Sequence, residues 1–248
     1  MTLMKQFNRA AHTYNYGAHI QSITARKVFE MNTHTSPKFT LDIGCGTGIL
    51  TKKFAQAFPQ STIKAIDISE NMIHQVQSLE EKNICTECTD YLTLNSQEGF
   101  DLIISNAALH WMDTKAAVQK IAKELTPKGN TLLAIFGSKT SQELYQLLPV
   151  IGRHNQVVSS TFYTSEDLIE LGHNNFKHWQ VNTEIITISF DSIFDLLKVQ
   201  KDTGVNVKLK NDGLWTPRQL KDLEETFIGA YGQVQLTYEI HYCKGAND

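Results

Sequence analysis

The run Leu41-Asp42-Ile43-Gly44-Cys45-Gly46-Thr47-Gly48, followed at a distance by Asp67, constrains this chain more than any other feature. Lys38 to Ile43 reads as a short strand, and Ile49 to Phe58, with Leu50, Phe54, Ala57 and Phe58 on one side, reads as a helix facing a sheet. Glycines at such a strand-to-helix turn let a ligand approach backbone that a Cβ would block. After the turn Pro59-Gln60-Ser61, Thr62 to Asp67 reads as a second strand. An acid roughly 20 positions beyond the glycines is placed to accept both hydroxyls of a ribose. The spacing is G-x-G-x-G, not the dinucleotide G-x-G-x-x-G, and Asp42 would repel a pyrophosphate. That acid suits a ligand with a cationic end.

The alternation continues down the chain. Ser69 is placed to cap a helix from Glu70 to about Glu80, with Met72, Ile73, Val76 and Leu79 on one side. Ile84–Thr89, Phe100–Ser105 and Thr131–Phe136 read as strands three to five. A helix from about Lys115 to Leu125 ends at Thr126-Pro127-Lys128-Gly129, a stop-and-turn unit. Apolar strands alternating with helices imply a mostly parallel sheet covered on both faces. Phe7 to about Met31 reads as helix, broken after it by Pro37. Beyond Gly137 come a helix start at Thr164-Ser165-Glu166-Asp167, a strand at Val181–Phe190, a helix from Asp191 to Gln200, a capping box at Thr216–Gln219 and a last strand at Val234–Ile240. The expected chain is one domain over 1–248, with a helical cap at about 1–31 and helical lid segments at about 138–178 and 191–215.

Composition excludes several classes. The 248 residues carry a net charge of -3, with 23 basic against 26 acidic side chains, so bulk charge points to neither nucleic acid nor a membrane surface. No apolar run approaches the roughly 20 residues of a membrane-spanning helix, and the first residues lack a signal core. A cytoplasmic globular protein is expected. Cys85-Thr86-Glu87-Cys88 is a C-x-x-C, but it lies on a predicted strand, where residues three apart point to opposite faces. Cys45 and Cys243 supply no second ligand pair, so no metal site is expected.

The D-I-G-C-G-T-G loop, Asp67, Thr89-Asp90 after the third strand and Phe100-Asp101-Leu102-Ile103-Ile104-Ser105-Asn106 together resemble the class I S-adenosylmethionine-dependent methyltransferases. The resemblance implies a Rossmann-like seven-stranded, mostly parallel α/β sheet and S-adenosyl-L-methionine as cofactor, with S-adenosyl-L-homocysteine as product. It implies that Asp42 faces the methionyl ammonium and that Gly44 and Gly46, with Cys45 between them, give close backbone approach. Asp67 takes the ribose, Ile68 and Met72 flank the adenine, and Asp90 with the Tyr91 amide reads its edge. Asn106 and Ala107 lie beside the methionyl portion, and Gln21 joins the same set. A nicotinamide dehydrogenase is disfavoured by the glycine spacing, by Asp42 and by the want of a Tyr-x-x-x-Lys pair. A non-catalytic binding module is disfavoured because every cofactor motif is intact.

Flanking segments narrow the resemblance. Phe7-Asn8-Arg9-Ala10-Ala11-His12-Thr13-Tyr14 with Ala18 and Gln21, Asn106-Ala107-Ala108-Leu109-His110-Trp111, Leu196 to Asn206, and Leu236-Thr237-Tyr238-Glu239 resemble the malonyl-acyl-carrier-protein O-methyltransferases of biotin synthesis. That implies methylation of the free carboxylate of a malonyl thioester on acyl carrier protein or coenzyme A, with another small-molecule carboxylate or carbon acceptor as the alternative. A carboxylate needs no general base, and none is evident. Tyr14, His110, Trp111 and Arg153 are the candidates to position it. Their alternatives are a core tyrosine, a histidine bonded to nearby backbone, a packing tryptophan and a surface ion pair. Lys198, Lys201, Lys208 and Lys210 form either a docking patch for an acidic carrier or a solvated face.

Overall fold

The computed structural model describes residues 3–96, 99–153, 158–203 and 215–248. The chain opens with three helices, α1 (Leu3–Ala10), α2 (Tyr14–Gly17) and α3 (His19–Glu30). The core then alternates β1 (Phe39–Ile43), α4 (Ile49–Ala57), β2 (Thr62–Asp67), α5 (Glu70–Gln77), β3 (Ile84–Cys88), β4 (Phe100–Asn106), α6 (Thr114–Glu124) and β5 (Leu125–Phe136). It closes with α7 (Gln142–Leu147), α8 (Ser165–His173), β6 (His178–Phe190), α9 (Ile193–Asp202), α10 (Pro217–Tyr231) and β7 (Val234–Ala246).

The seven strands form one sheet in the order β3-β2-β1-β4-β5-β7-β6. The first five are mutually parallel; β7 runs antiparallel to both β5 and β6. Alternate residues of the central strands feed two apolar layers. Leu41, Ile43, Ile103, Leu133 and Ile135 pack with Ala117, Val118 and Ile121 of α6. Ile63, Leu102, Ile104 and Leu132 pack with Ile20, Val28, Leu50 and Phe54 from α3 and α4. Burial on both faces is why these strands read as continuous apolar runs. β1 lies between β2 and β4, where the chain order reverses, and this is the place where open α/β sheets bind ligands.

Three details depart from the sequence reading. The helix expected from Phe7 to Met31 is three pieces. The chain turns at Thr13, whose hydroxyl donates to the Ala10 carbonyl, and again after Gly17, which packs so closely on α9 that an added Cβ would lie 3.0 Å from the Thr203 methyl. The expected stop at Thr126–Gly129 lies inside β5. Its register with β4 jumps from Phe100↔Leu125 to Leu102↔Asn130, so the turn-forming residues bulge out of a strand that resumes. The C-terminal strands are also longer than expected, because β6 and β7 pair along their whole length from His178↔Ala246 to Phe190↔Val234.

The helix starts hold as read. Ser69 accepts from Met72 N, and capping boxes form at Thr164–Asp167 and Thr216–Gln219, the latter with Pro217 at the first helical position. Cys85 and Cys88 are free and exposed on the edge strand β3. Among the described residues no helix is long and apolar enough to cross a membrane. Lys208, Lys210 and the segment Gly204-Val205-Asn206 lie outside the described residues.

Within the 138–178 segment, α8 packs on β6 as part of the layer that covers the sheet. Trp179 donates its indole N–H to Leu168 O at 2.9 Å and fills the space beside Gly172, where a Cβ would fall 2.1 Å from the ring. Gly172→Ala should therefore overpack this seam and cost about 1–3 kcal/mol, a fall in Tm of about 5 °C for a chain of this size. A thermal melt of the variant beside the unaltered protein checks this, with cofactor affinity expected to stay the same.

Candidate active site

The glycine loop leaves β1 at Ile43 and enters α4 at Ile49. Gly44, Gly46 and Gly48 all adopt left-handed backbone, with φ of 66°, 54° and 84°. The reasons differ. A Cβ on Gly44 would lie 2.3 Å from the Ala108 Cβ, so that glycine lets the loop pass under the end of β4. A Cβ on Gly46 would meet nothing within 4 Å. That glycine lines open space, a cradle that a side chain would fill.

Asp67 holds the loop in place. Its carboxylate accepts Gly46 N at 3.0 Å and Ser69 N at 2.8 Å, while Cys45 N bonds to Ile66 O at 2.9 Å. Burial raises the Asp67 pKa, against the lowering effect of the backbone amides of Ser69, Gly46 and Ile68. Asp67, Ile68 and Met72 line a cavity of about 300 Å³ with Asp90, Tyr91, Asn106, Ala107 and Trp111. Asp90 caps the 3₁₀ turn Tyr91–Thr93 through Leu92 N at 2.9 Å. The Tyr91 hydroxyl is committed to Glu124 of α6 at 2.8 Å.

A smaller hollow of about 20 Å³ adjoins the cavity and shares Tyr14, Gly44, Gly46 and Asn106 with it. It is lined by oxygen acceptors. Asp42 is 1% exposed and accepts the Thr51 hydroxyl at 2.6 Å. Burial lifts its pKa to about 7, opposed by the Thr51 bond and reinforced by the charge of Asp67. Asn106 donates its amide to Gln21 O at 2.9 Å. Gln21 Oε1 and Asn106 Oδ1 are buried and take no hydrogen bond among the described residues. Two orphan acceptors and a carboxylate around one small hollow fit a primary ammonium, which brings three donors and no acceptor. The residues present therefore fit S-adenosylmethionine. Asp42, Gln21 and Asn106 would hold its ammonium, the Gly44–Gly46 backbone its methionyl chain, Asp67 its ribose, and Ile68, Met72 and Asp90 its adenine.

The four substrate-positioning candidates separate into two pairs. Tyr14 lines both hollows, and burial, with the Asp67 charge adding, raises its pKa so far that it stays an O–H donor. Trp111 lines the cavity, edge-on to Phe7 at 5.9 Å and to Phe162 at 5.7 Å. His110 is buried behind Trp111, its ring 4.9 Å from Phe136 and nearly parallel to it. Arg153 is buried and does not lie on the surface. Its guanidinium is 3.9 Å from the Trp215 ring and donates to Gln219 Oε1 at 3.0 Å, outside the cavity lining.

Two side-chain contacts at the site, those of Asn8 and Asn15, had no signal in the local sequence. Asn8 accepts the Ser69 hydroxyl at 2.6 Å and its carbonyl accepts the Asn71 amide at 2.8 Å, pinning α1 to the start of α5. Asn15 accepts the Thr47 hydroxyl at 2.7 Å, pinning α2 to the glycine loop. Ala107 takes a left-handed φ of 55°, unusual for a residue with a Cβ, where β4 gives way to the Leu109–Trp111 turn. Asn8 and Asn15 come from an N-terminal segment whose local pattern speaks only of helix. Among the described residues no group of three or more His, Cys, Asp or Glu side chains could hold a metal ion.

Comparison with known proteins agrees with this geometry. Residues 40–129 match the family model described as a methyltransferase domain. The chain superposes on the YcgJ protein of Bacillus subtilis with a TM-score of 0.64 at 15% identity, covering 93% of this chain and all of that one. It superposes on phosphoethanolamine N-methyltransferase 2 of Haemonchus contortus, solved with S-adenosyl-L-methionine, with a TM-score of 0.62 at 13% identity, covering all of this chain and 60% of that one. Fold and site together are those of a class I S-adenosylmethionine-dependent methyltransferase. In sequence, the chain is 31% identical over 247 residues to malonyl-acyl-carrier-protein O-methyltransferase 2 of Ilyobacter polytropus, covering 97% of this chain and 90% of that protein. It is 27% identical over 260 residues to the Bacillus cereus protein described as a malonyl-acyl-carrier-protein O-methyltransferase, covering 98% and 96%. The chain belongs to the malonyl-acyl-carrier-protein O-methyltransferase family.

Two outcomes follow from the loop and the buried acid. Gly46→Ala should fold, with a strain of about 1 kcal/mol at its left-handed φ, yet lose at least about tenfold in S-adenosylhomocysteine affinity because the new methyl fills the cradle. Isothermal titration checks it. Because Asp42 holds its proton more tightly folded than unfolded, protonated Asp42 favours the fold below about pH 4, and that contribution is lost as pH rises through about 7. Binding an ammonium requires the carboxylate. Affinity should therefore weaken as pH falls below 7, by at most about tenfold per pH unit for one proton, and Asp42→Asn should flatten that slope.

Proposed function

We propose that this enzyme transfers the methyl group of S-adenosylmethionine to the free carboxylate of a malonyl thioester, carried on acyl carrier protein or coenzyme A. The product would be the methyl ester that starts pimeloyl-chain assembly for biotin. Supporting this reading are the named relatives, which span nearly the whole chain. Beside them stands the chemistry of the site, which offers a hydroxyl donor on Tyr14 and an aromatic wall at Trp111 to an acceptor. A malonyl carboxylate has lost its proton well below pH 7 and is already the nucleophile.

When bound, the cofactor supplies an electrophilic methyl on a sulfonium. The chain's own part is to bind, orient and exclude water. Tyr14 keeps its proton and can donate to an acceptor oxygen. Trp111, Phe7 and Phe162 form an aromatic wall whose low polarity favours joining an anion and a cation into neutral products. The helices α1 to α3 act as the cap, fastened to the start of α5 by Asn8 and to the glycine loop by Asn15. Arg153 is proposed as the cationic partner of the malonyl carboxylate. Trp215 and Gln219 fix its plane, and the acyl chain would reach it from the side of Trp215. Docking of an acidic carrier is proposed on the face of α9 that carries Lys198 and Lys201; Lys198 is 71% exposed and only 3.4 Å from Asp202.

The deciding experiment is a labelled-methyl assay with malonyl-carrier protein, malonyl-coenzyme A and free small carboxylic acids. Alkali-labile label on the malonyl thioester is expected; alkali-stable label on another acceptor would overturn the reading. Arg153→Ala should raise KM for the thioester about tenfold or more, and unchanged kinetics would remove that assignment. Turnover of carrier-bound malonyl should fall with added salt more steeply than turnover of the coenzyme A thioester.

A further inference from the structure

Behind Trp111, the His110 ring is enclosed by three aromatic side chains. Phe136 stacks on it at 4.9 Å and 19°, Phe162 approaches at 4.7 Å, and Trp111 at 5.0 Å. The cage fixes the ring, and one hydrogen bond fixes its tautomer. His110 Nδ1 accepts the backbone N–H of Phe136 at 3.3 Å. A neutral imidazole that accepts at Nδ1 carries its proton on Nε2. Burial keeps it neutral, since it pushes the His110 pKa down to about 3.

Nε2–H is thus a buried donor, and it has no partner among the described residues. Leaving such a donor unmade is costly. A phenylalanine or leucine would fill the cage without that cost, so packing accounts for the ring but not for its second nitrogen. The bond to Phe136 accounts for Nδ1 alone. Trp111, one wall of the cage, is also a wall of the cavity that holds the cofactor residues, and Phe162 comes from the segment following β5.

We propose that His110 is a substrate-positioning residue whose Nε2–H donates to an oxygen of the acceptor's carboxyl group at the cavity edge that Trp111 forms. The inference rests on the carboxylate reading given above. A neutral donor suits that task better than a charged one. With Arg153 proposed as the cationic partner, a second cation in an imidazolium would over-stabilise the carboxylate and blunt its attack, whereas a neutral N–H orients one oxygen and leaves the other reactive. Carboxylate charge falls as the methyl transfers, so this bond is worth more in the bound ground state than in the transition state. Its loss should appear in KM, with kcat unchanged or slightly raised.

The test pairs His110→Phe, which keeps an aromatic ring and removes both nitrogens, with His110→Gln, whose amide can accept from Phe136 N–H and donate to substrate. His110→Phe should raise KM for malonyl-coenzyme A between about tenfold and a hundredfold, the range for a hydrogen bond to a charged group. Its kcat should stay within about threefold, S-adenosylhomocysteine affinity within about twofold, and His110→Gln should recover most of the loss. In the unaltered, S-adenosylhomocysteine-loaded protein, ¹⁵N spectra of labelled histidine should show the Nε2–H tautomer, with the Nε2 signal moving when malonyl-coenzyme A is added. This readout decides the matter even where His110→Phe does not fold. An Nδ1–H tautomer, an Nε2 signal indifferent to malonyl-coenzyme A, a His110→Phe enzyme with unchanged KM, or a His110→Gln enzyme as impaired as His110→Phe would each overturn the proposal. Failure of the unaltered protein to methylate any malonyl thioester overturns the carboxylate acceptor assigned above instead. The same comparison of variants then applies to the acid that the labelled-methyl assay identifies.

Discussion

One carboxylate holds this site together. Asp67 stands at the end of β2 and takes an amide from each side, Gly46 from the cofactor loop and Ser69 from the start of α5. The loop has three residues with positive φ and would otherwise be an entropically costly stretch of chain. Tied to β2 through Asp67 and through Cys45 N–H, it becomes a rigid rim. The cavity, the small acceptor-lined hollow and the cap helices are all arranged around that rim.

The electrostatics follow from it. Asp42 and Asp67 sit close enough that the charge of Asp67 helps raise the pKa of Asp42, and both are pushed up by burial. Such a pair is poorly solvated without a ligand and improves when a cation arrives. Gln21 and Asn106 add acceptors without adding charge. The proposed acceptor side has the opposite character, with the aromatic rings of Phe7 and Trp111 and the hydroxyl of Tyr14. The acceptor-lined end suits a cationic ligand; on the proposed function, an anion is received at the other in a medium of low polarity, which favours their mutual neutralisation.

The sequence disclosed the parts of this arrangement that depend on local pattern. Strand ends at Ile43, Asp67 and Asn106 could be read because apolar runs stop where the chain must turn, and the caps at Ser69, Thr164 and Thr216 because their side chains bond within their own turn. The candidate cofactor residues Asp42, Gly44, Gly46 and Asp67 could be picked out for the same reason: each lies at or beside such a strand end. Contacts between distant segments were not legible. Nothing near Asn8 or Asn15 says that they reach Ser69 and Thr47, and nothing near Gly17 says that α9 lies against it. Thr126-Pro127-Lys128-Gly129 has every mark of a turn, yet β4 and the long pairing of β5 with β7 carry the strand past it as a bulge.

By itself, then, the sequence determined the α/β alternation, the place of the cofactor loop and the charge of its ligand, because glycine conformation and strand periodicity are properties of a few neighbouring residues. Only the tertiary structure decided where the candidate substrate-side residues lie. It placed Tyr14 and Trp111 on the cavity, stacked Arg153 on Trp215 outside it, and gave His110 its tautomer through a backbone amide 26 residues away. Those outcomes depend on which helices and loops pack over the ends of β4 and β5, and packing across such distances leaves no mark in local sequence.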